Sequence, residues 1–126
     1  ESDRIEDFRK INEELTGRLH EKAYLNAYTY YKTGKYKSAI VAFKNALKQY
    51  PESKRREEIM YLIVDSGYRL ASNSISEKQT DRYLSMLDSY LSFKEEFPES
   101  THIKSLDRMA QQARDYLDRN NKDNNI

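Results

Sequence analysis

The feature that most constrains what this chain can fold into is an internal repetition. The segment KAYLNAYTYYKTGKYKSAIVAFKNALKQYPES, residues 22–53, has a later partner ending in RYLSMLDSYLSFKEEFPES, residues 82–100. Superimposing the prolines pairs Tyr36 with Tyr83, Ile40 with Leu87 and Phe43 with Tyr90, and Tyr50-Pro51-Glu52-Ser53 with Phe97-Pro98-Glu99-Ser100. The stretches before them pair Tyr24-Leu25 with Tyr61-Leu62, and Tyr31 with Tyr68. The offset is 37 residues in the first half of the unit and 47 in the second, so the later copy carries ten extra residues. The polar run SNSISEKQT, residues 72–80, reads as the loop that takes them up. A unit repeated at this length cannot bury its apolar face alone, so copies have to stack.

Within each unit the apolar residues fall at helical spacing. Helices are predicted over about 3–31, 36–50, 56–73, 81–97 and 102–119. Ile5, Phe8, Ile11, Leu15 and Leu19 are spaced 3, 3, 4 and 4, which places them on one stripe. Ser2 is suited to cap the first helix, and Gly17 is expected to bend it without breaking it. The stripe widens through Ala23, Leu25, Ala27, Tyr28, Tyr30 and Tyr31, which predicts burial on more than one side. Gly34 suits a left-handed C-cap, and Pro51 and Pro98 stop the helices before them. The fifth helix carries Ile103, Leu106, Met109, Ala113 and Leu117 on one face. The expected organisation is an all-α helical-repeat solenoid of about five helices in one domain, 1–119. It comprises a repeat over 21–53, an irregular repeat over 54–100 with its loop at 72–80, a capping helix over 101–119, and a disordered tail over 120–126.

Composition narrows the class further. Three Gly and two Pro are too few turn formers for a β sandwich or barrel. Zero Cys removes disulfides, thiolate metal sites and a cysteine nucleophile from this chain. No apolar run approaches the roughly 18 residues of a membrane span. Hydrophobic residues make up 37%, low for a globule with one large core but suited to a solenoid whose helix pairs bury only against neighbours.

The first copy resembles a tetratricopeptide repeat at Ala27, Tyr30, Gly34, Tyr36, Ala39, Phe43, Ala46 and Pro51. Ala27, Ala39 and Ala46 let backbones approach, while Tyr30, Tyr36 and Phe43 are expected to fill the space between paired helices. The second copy departs from this pattern at Gly67, in place of an aromatic, and at Met86, in place of a small residue. A narrower resemblance covers nearly the whole chain, from about Asp3 to Leu117. KAYLNAYTYYKTGKYKSAI, QYPESKRREEIMYLIVDSGYRLASNSISEKQTDRYL and EEFPES are similar to the C-terminal half of the BamD-type tetratricopeptide lipoproteins, in their Bacteroidetes-type members. Those proteins belong to the bacterial outer-membrane β-barrel assembly machine. The resemblance implies a lipidated cysteine and further repeats upstream, with membrane attachment only through that anchor. It implies a scaffold at the periplasmic face of the outer membrane, bound to the POTRA-containing subunit and to other lipoproteins of the machine.

Two surfaces qualify as binding sites. In a stacked-repeat protein the first helix of each pair lines one face. Tyr24, Tyr28, Tyr31 and Lys32 are expected there from the first repeat, and Tyr61, Asp65, Tyr68 and Arg69 from the second. They read as a tyrosine-rich groove with polar tips, suited to an extended peptide or a partner loop. The competing reading packs these tyrosines against the neighbouring repeat, Tyr31 and Tyr68 foremost. The second surface is electrostatic. Net charge is only +1, yet residues 32–56 hold eight bases (Lys32, Lys35, Lys37, Lys44, Lys48, Lys54, Arg55, Arg56) against one acid, Glu52. Such a helix pair suits an acidic partner or an anionic lipid surface, and the competing reading is a solvated outer face. Nucleic acid is disfavoured by the low net charge and the absence of a binding motif.

Catalytic constellations fail on inventory. His20 and His102 are the only histidines and read as isolated surface residues. Glu13-Glu14, Glu57-Glu58 and Glu95-Glu96 are adjacent pairs that diverge by roughly 100° on a helix. No Gly-rich phosphate loop and no GxSxG context occurs, so no cofactor is expected. Non-catalytic binding remains, either as a scaffold of barrel assembly or as a generic peptide-binding module of the co-chaperone or secretion-adaptor kind.

Overall fold

A computed structural model describes residues 2–124, which form five α-helices: α1 Ser2–Lys32, α2 Tyr36–Gln49, α3 Arg56–Ser72, α4 Ser76–Glu96 and α5 Ile103–Asn124. Their ends follow local chemistry. Gly34 adopts φ +77° after α1. That geometry lets the Lys35 N–H donate to the Tyr30 carbonyl at 2.9 Å and the Gly34 N–H to Tyr31 at 3.0 Å, the paired bonds of a Schellman cap. The two proline turns match bond for bond. Tyr50 and Phe97 each donate back to residue i−4 at 2.8 Å. The hydroxyls of Ser53 and Ser100 each accept the N–H two residues on, at 3.1 Å.

Neighbouring helices are antiparallel. Tyr31 packs on Tyr36 beside the first turn and Tyr24 on Phe43 farther from it. Two buried clusters result. One joins α1, α2 and α3 through Tyr24, Ala27, Ala39, Phe43, Ala46, Ile59, Leu62 and Ile63. The other joins α3, α4 and α5 through Val64, Ala71, Tyr83, Met86, Tyr90, Phe93, Leu106, Ala110 and Ala113. Helix α3 belongs to both and is buried on every side from Leu62 to Gly67. The irregular second repeat is explained here. A Cβ on Gly67 would lie 3.3 Å from the Met86 Cβ. Gly67 stands where the first repeat has Tyr30 and Met86 where it has Ala39, so in this pair the large side chain comes from α4 and packs directly on the bare backbone of α3.

Several expectations need correction. The run 72–80 is not one loop: only residues 73–75 connect the helices, as only 33–35 do in the first repeat. Of the ten extra residues, three lengthen α3 and seven lengthen the start of α4 relative to their aligned counterparts. Ser76, Glu77 and Lys78 are solvated on a protruding hairpin, so their polarity mimics a loop. Glu77 sits in the first turn, on the positive end of the helix dipole. Bonds from Gln79 to the Ala71 carbonyl and from Arg82 to the Ser74 hydroxyl tie the hairpin together. Residues 120–124 of the expected disordered tail continue α5, while 125–126 lie outside the described residues. Ser2 is the first described residue of α1 and lies within that helix. Finally, α1 is buried on one side only. Leu25 is 51% exposed and Tyr30 37% exposed, so Tyr30 does not fill the space within its pair. The whole stripe Ile5, Phe8, Ile11, Leu15 and Leu19 faces solvent, because α1 overshoots the aligned start of α3 by 17 residues.

Candidate functional site

The tyrosines that the sequence placed together do meet, along the parallel helices α1, α3 and α5. Tyr28 stacks between Tyr24 and Tyr31, with centroids 5.8 Å apart on each side. Much of this row binds the repeats to one another. At the first junction the Arg55 guanidinium pairs bidentately with Glu21, at 2.7 and 3.1 Å, and lies 4.4 Å over the Tyr24 ring. Farther along, the Tyr31 hydroxyl donates to Asp65 at 2.6 Å, and Arg69 Nε donates to the same carboxylate at 2.8 Å. The Arg55 and Tyr31 contacts have aligned counterparts at the second junction, whereas the Arg69–Asp65 bond has none, Tyr116 standing where Arg69 aligns. His102 replaces Arg55, stacked on Tyr61 at 3.8 Å with Glu58 at 3.9 Å. Gln112 replaces Asp65 and accepts from the Tyr68 hydroxyl. A cation or imidazole on a tyrosine face, backed by a glutamate, is thus used twice as the joint between repeats.

This arrangement sorts the predicted residues. Asp65 is buried to 1% exposure and committed to Tyr31 and Arg69, so its carboxylate does not face a partner. Tyr24 is the most buried of the first-repeat row, whereas Tyr31 and Tyr68, expected to be the core pair, are half-buried. Burial, then the hydrogen bond to Asp65, pushes the Tyr31 hydroxyl well above the ordinary tyrosine range. Burial likewise raises Tyr24 and Tyr61. The bond to Asp65 holds the Arg69 guanidinium more firmly protonated than usual, and its side chain stays 47% exposed. The half-buried Tyr28, with the exposed Lys32 and Arg69, keeps this face open to a ligand.

The basic residues form a separate surface. Lys37, Lys44 and Lys48 are spaced 7 and 4, so they line one row of α2, with Lys35 at its N-cap. All four are exposed, as is Lys32 at the end of α1. Among the described residues none of these five enters an ion pair. Lys37 and Lys44 border a groove of about 210 Å³ between α2 and α4, floored by Ile63, Gly67 and Leu70. The structure therefore gives two faces, tyrosines on α1 and α3 and lysines on α2, and not one composite site.

Sequence reasoning missed Glu21, Arg55, Glu58, His102 and Gln112. Neither histidine is an isolated surface group: His102 stacks on Tyr61, and His20 on Tyr50 at 4.3 Å. The signal was present in the repeat alignment, which superimposes Glu21 on Glu58 and Arg55 on His102. Among the described residues no group of three or more His, Asp or Glu could hold a metal ion. Nor, among the described residues, is any helix long and apolar enough to cross a membrane.

These features define a helical-repeat protein whose paired helices are stapled in series and whose outer helices present charge. Within that class the sequence profile of YfiO, described as outer membrane lipoprotein, matches residues 5–122. The chain belongs to this family of outer membrane lipoproteins, which bears out the BamD-like resemblance of the sequence. No curated protein matches the chain.

Proposed function

We propose that this chain is a non-catalytic scaffold module of the outer-membrane β-barrel assembly machinery, working at the periplasmic face of the outer membrane. Its paired helices are of the tetratricopeptide kind and its partner is the POTRA-containing subunit of the machine. The family match over residues 5–122 carries this reading. The packing across both junctions supports it, since buried clusters hold successive helix pairs together as one surface for a partner to meet. On that platform the α2 lysines are the favoured contact. They are exposed and free of ion pairs among the described residues, while the Tyr31 and Tyr68 hydroxyls are taken up internally. An acidic partner surface gains rate and register from such a row.

A pull-down with the purified POTRA-containing subunit tests this reading. Charge reversal at Lys35, Lys37 and Lys48 should abolish capture, and retention at the wild-type level would remove α2 as the contact. A peptide-binding module would instead lose its ligand on Tyr24→Ala and Tyr28→Ala, with little effect from the lysines.

A further inference from the structure

Helices α2 and α4 run parallel, with α3 beneath the groove between them. Their solvent faces carry opposite charge. Lys37, Lys44 and Lys48 are exposed on α2, and that helix holds no acid. On α4, Asp81, Asp88 and Glu95 stand seven residues apart in one exposed row. Among the described residues none of these charges, nor Lys35, enters an ion pair. The neighbouring charges of α4 are committed within the chain: Glu96 pairs with Arg56, Lys94 with Asp107, and Arg82 donates to Ser74. Glu77 and Lys78 stand on the protruding hairpin, beyond the start of α2. Apolar groups share the same face. Outside α1 and the hairpin residue Ile75, the exposed large apolar side chains described are Val41, Leu84 and Leu91, at 56, 49 and 54%.

The groove sets the register of the two rows. One hollow, of about 210 Å³, has Lys37 to Lys44 beside Arg82 to Ser89. A second, of about 280 Å³, has Lys44 and Leu47 beside Asp88 to Ser92. Asp88 is therefore level with the stretch between Lys37 and Lys44, and Val41 with the stretch between Leu84 and Leu91. Glu95 falls level with Lys48, and Asp81 with Lys35. Going outward from the groove, lysines come before Val41 on α2, and acids come before Leu84 and Leu91 on α4. Neighbouring helices do not cover these rows. Lys37 and Lys44 stay exposed with α4 alongside, as Asp88 does with α2 alongside. Leu84 and Leu91 hold the repeat positions of Lys37 and Lys44, and Val41 holds that of Asp88. Their exposure thus belongs to the position and does not need a missing neighbour.

We propose that this face binds a second copy of the chain about a two-fold axis running along the α2–α4 groove, each α2 lying on the other copy's α4. Rotation about that line keeps height along the helices and exchanges the two sides of the groove. Asp88 of each copy then falls between Lys37 and Lys44 of the other, Glu95 beside Lys48, and Asp81 beside Lys35. Val41 enters between Leu84 and Leu91 of the other copy, and every contact is made twice. A uniformly acidic occupant of the whole face would meet the α4 acids, and a uniformly basic one the α2 lysines. The face needs an occupant with charge sorted in the same way, and its own copy turned over supplies that order. Two seams of about three turns each make a small interface, so the dimer is reversible. While it lasts it covers the α2 lysines and excludes an acidic partner from them.

Sedimentation of the 126-residue chain from low to high micromolar concentration should show a monomer–dimer equilibrium that salt weakens. Lys44→Glu and Asp88→Lys should each weaken the dimer at least tenfold. Both positions are exposed, so circular dichroism and the thermal midpoint should stay at wild-type values. The two substitutions in one chain should restore dimerisation to within threefold of the wild type. An equimolar mixture of the two single variants should do the same. That mixture matters because Lys44 and Asp88 also border one hollow within the chain, and only contacts between copies are repaired by mixing. A monomer at every concentration overturns the proposal. So does a dimer unchanged by either reversal, a failure of the mixture to recover, or a dimer abolished by Leu15→Glu on the exposed α1 stripe. The POTRA-containing subunit takes no part in these measurements, so their failure leaves the scaffold reading standing.

Discussion

At the residue scale a few polar side chains add to the buried clusters that join the repeats. Tyr31 bridges 34 residues of sequence to reach Asp65, and Arg69 holds the carboxylate from the other side. Tyr31→Phe removes one hydrogen bond to a charged acceptor but leaves Arg69 in place, so it should cost about 1.5 kcal/mol in denaturant unfolding. Tyr68→Phe, whose acceptor is the neutral Gln112 amide, should cost about 1 kcal/mol. Alkaline pH probes the same joint. The Tyr31 hydroxyl ionises above the ordinary value of about 10 in the folded chain. Its contribution is therefore complete below that pH and is lost as pH rises through the higher folded value. Stability measured from pH 9 upward should fall less steeply in Tyr31→Phe than in the wild type. Two glycines make a contrasting pair. Gly17 has open space where a Cβ would go, so Gly17→Ala should stabilise α1 by up to about 1 kcal/mol. Gly67→Ala meets Met86 at 3.3 Å and should gain less or destabilise, with chemical denaturation separating the two.

At the scale of elements, burial divides the helices sharply. Helix α3 packs on both clusters, whereas residues 2–19 of α1 are exposed throughout. Hydrogen exchange should be fast over that overhang and slowest in α3, and uniform protection along α1 would contradict the packing. The same division explains what could be read in advance. Helix ends at Gly34, Pro51 and Pro98 were legible because backbone sterics act within a few residues. The extension of α4 was not, since Ser76, Glu77 and Lys78 are polar on a helix that solvent surrounds. Periodicity marked the stripe Ile5–Leu19 as a face but carries no information on what covers it. Leu25 and Tyr30 were expected to be buried for that reason and are not. The junction residues were accessible through the alignment, yet Arg55 and His102 differ in type, and only their shared place on a tyrosine ring shows the likeness.

At the scale of the molecule, the helix pairs joined at two junctions carry two separate faces, one aromatic and one charged. The α2 lysines and the α1–α3 tyrosines lie on different helices, so their contributions to a partner are separable by substitution. Exposed lysines act mainly through long-range attraction, which salt screens over about 10 Å at 0.1 M. The most direct test of the scaffold reading is a calorimetric titration of the POTRA-containing subunit into the wild-type chain and into Lys35→Glu/Lys37→Glu/Lys48→Glu. The account predicts saturable wild-type binding that weakens with added salt, and a loss of at least tenfold in the triple variant with the fold intact. Wild-type affinity in that variant, or no binding by the wild-type chain at all, would contradict it.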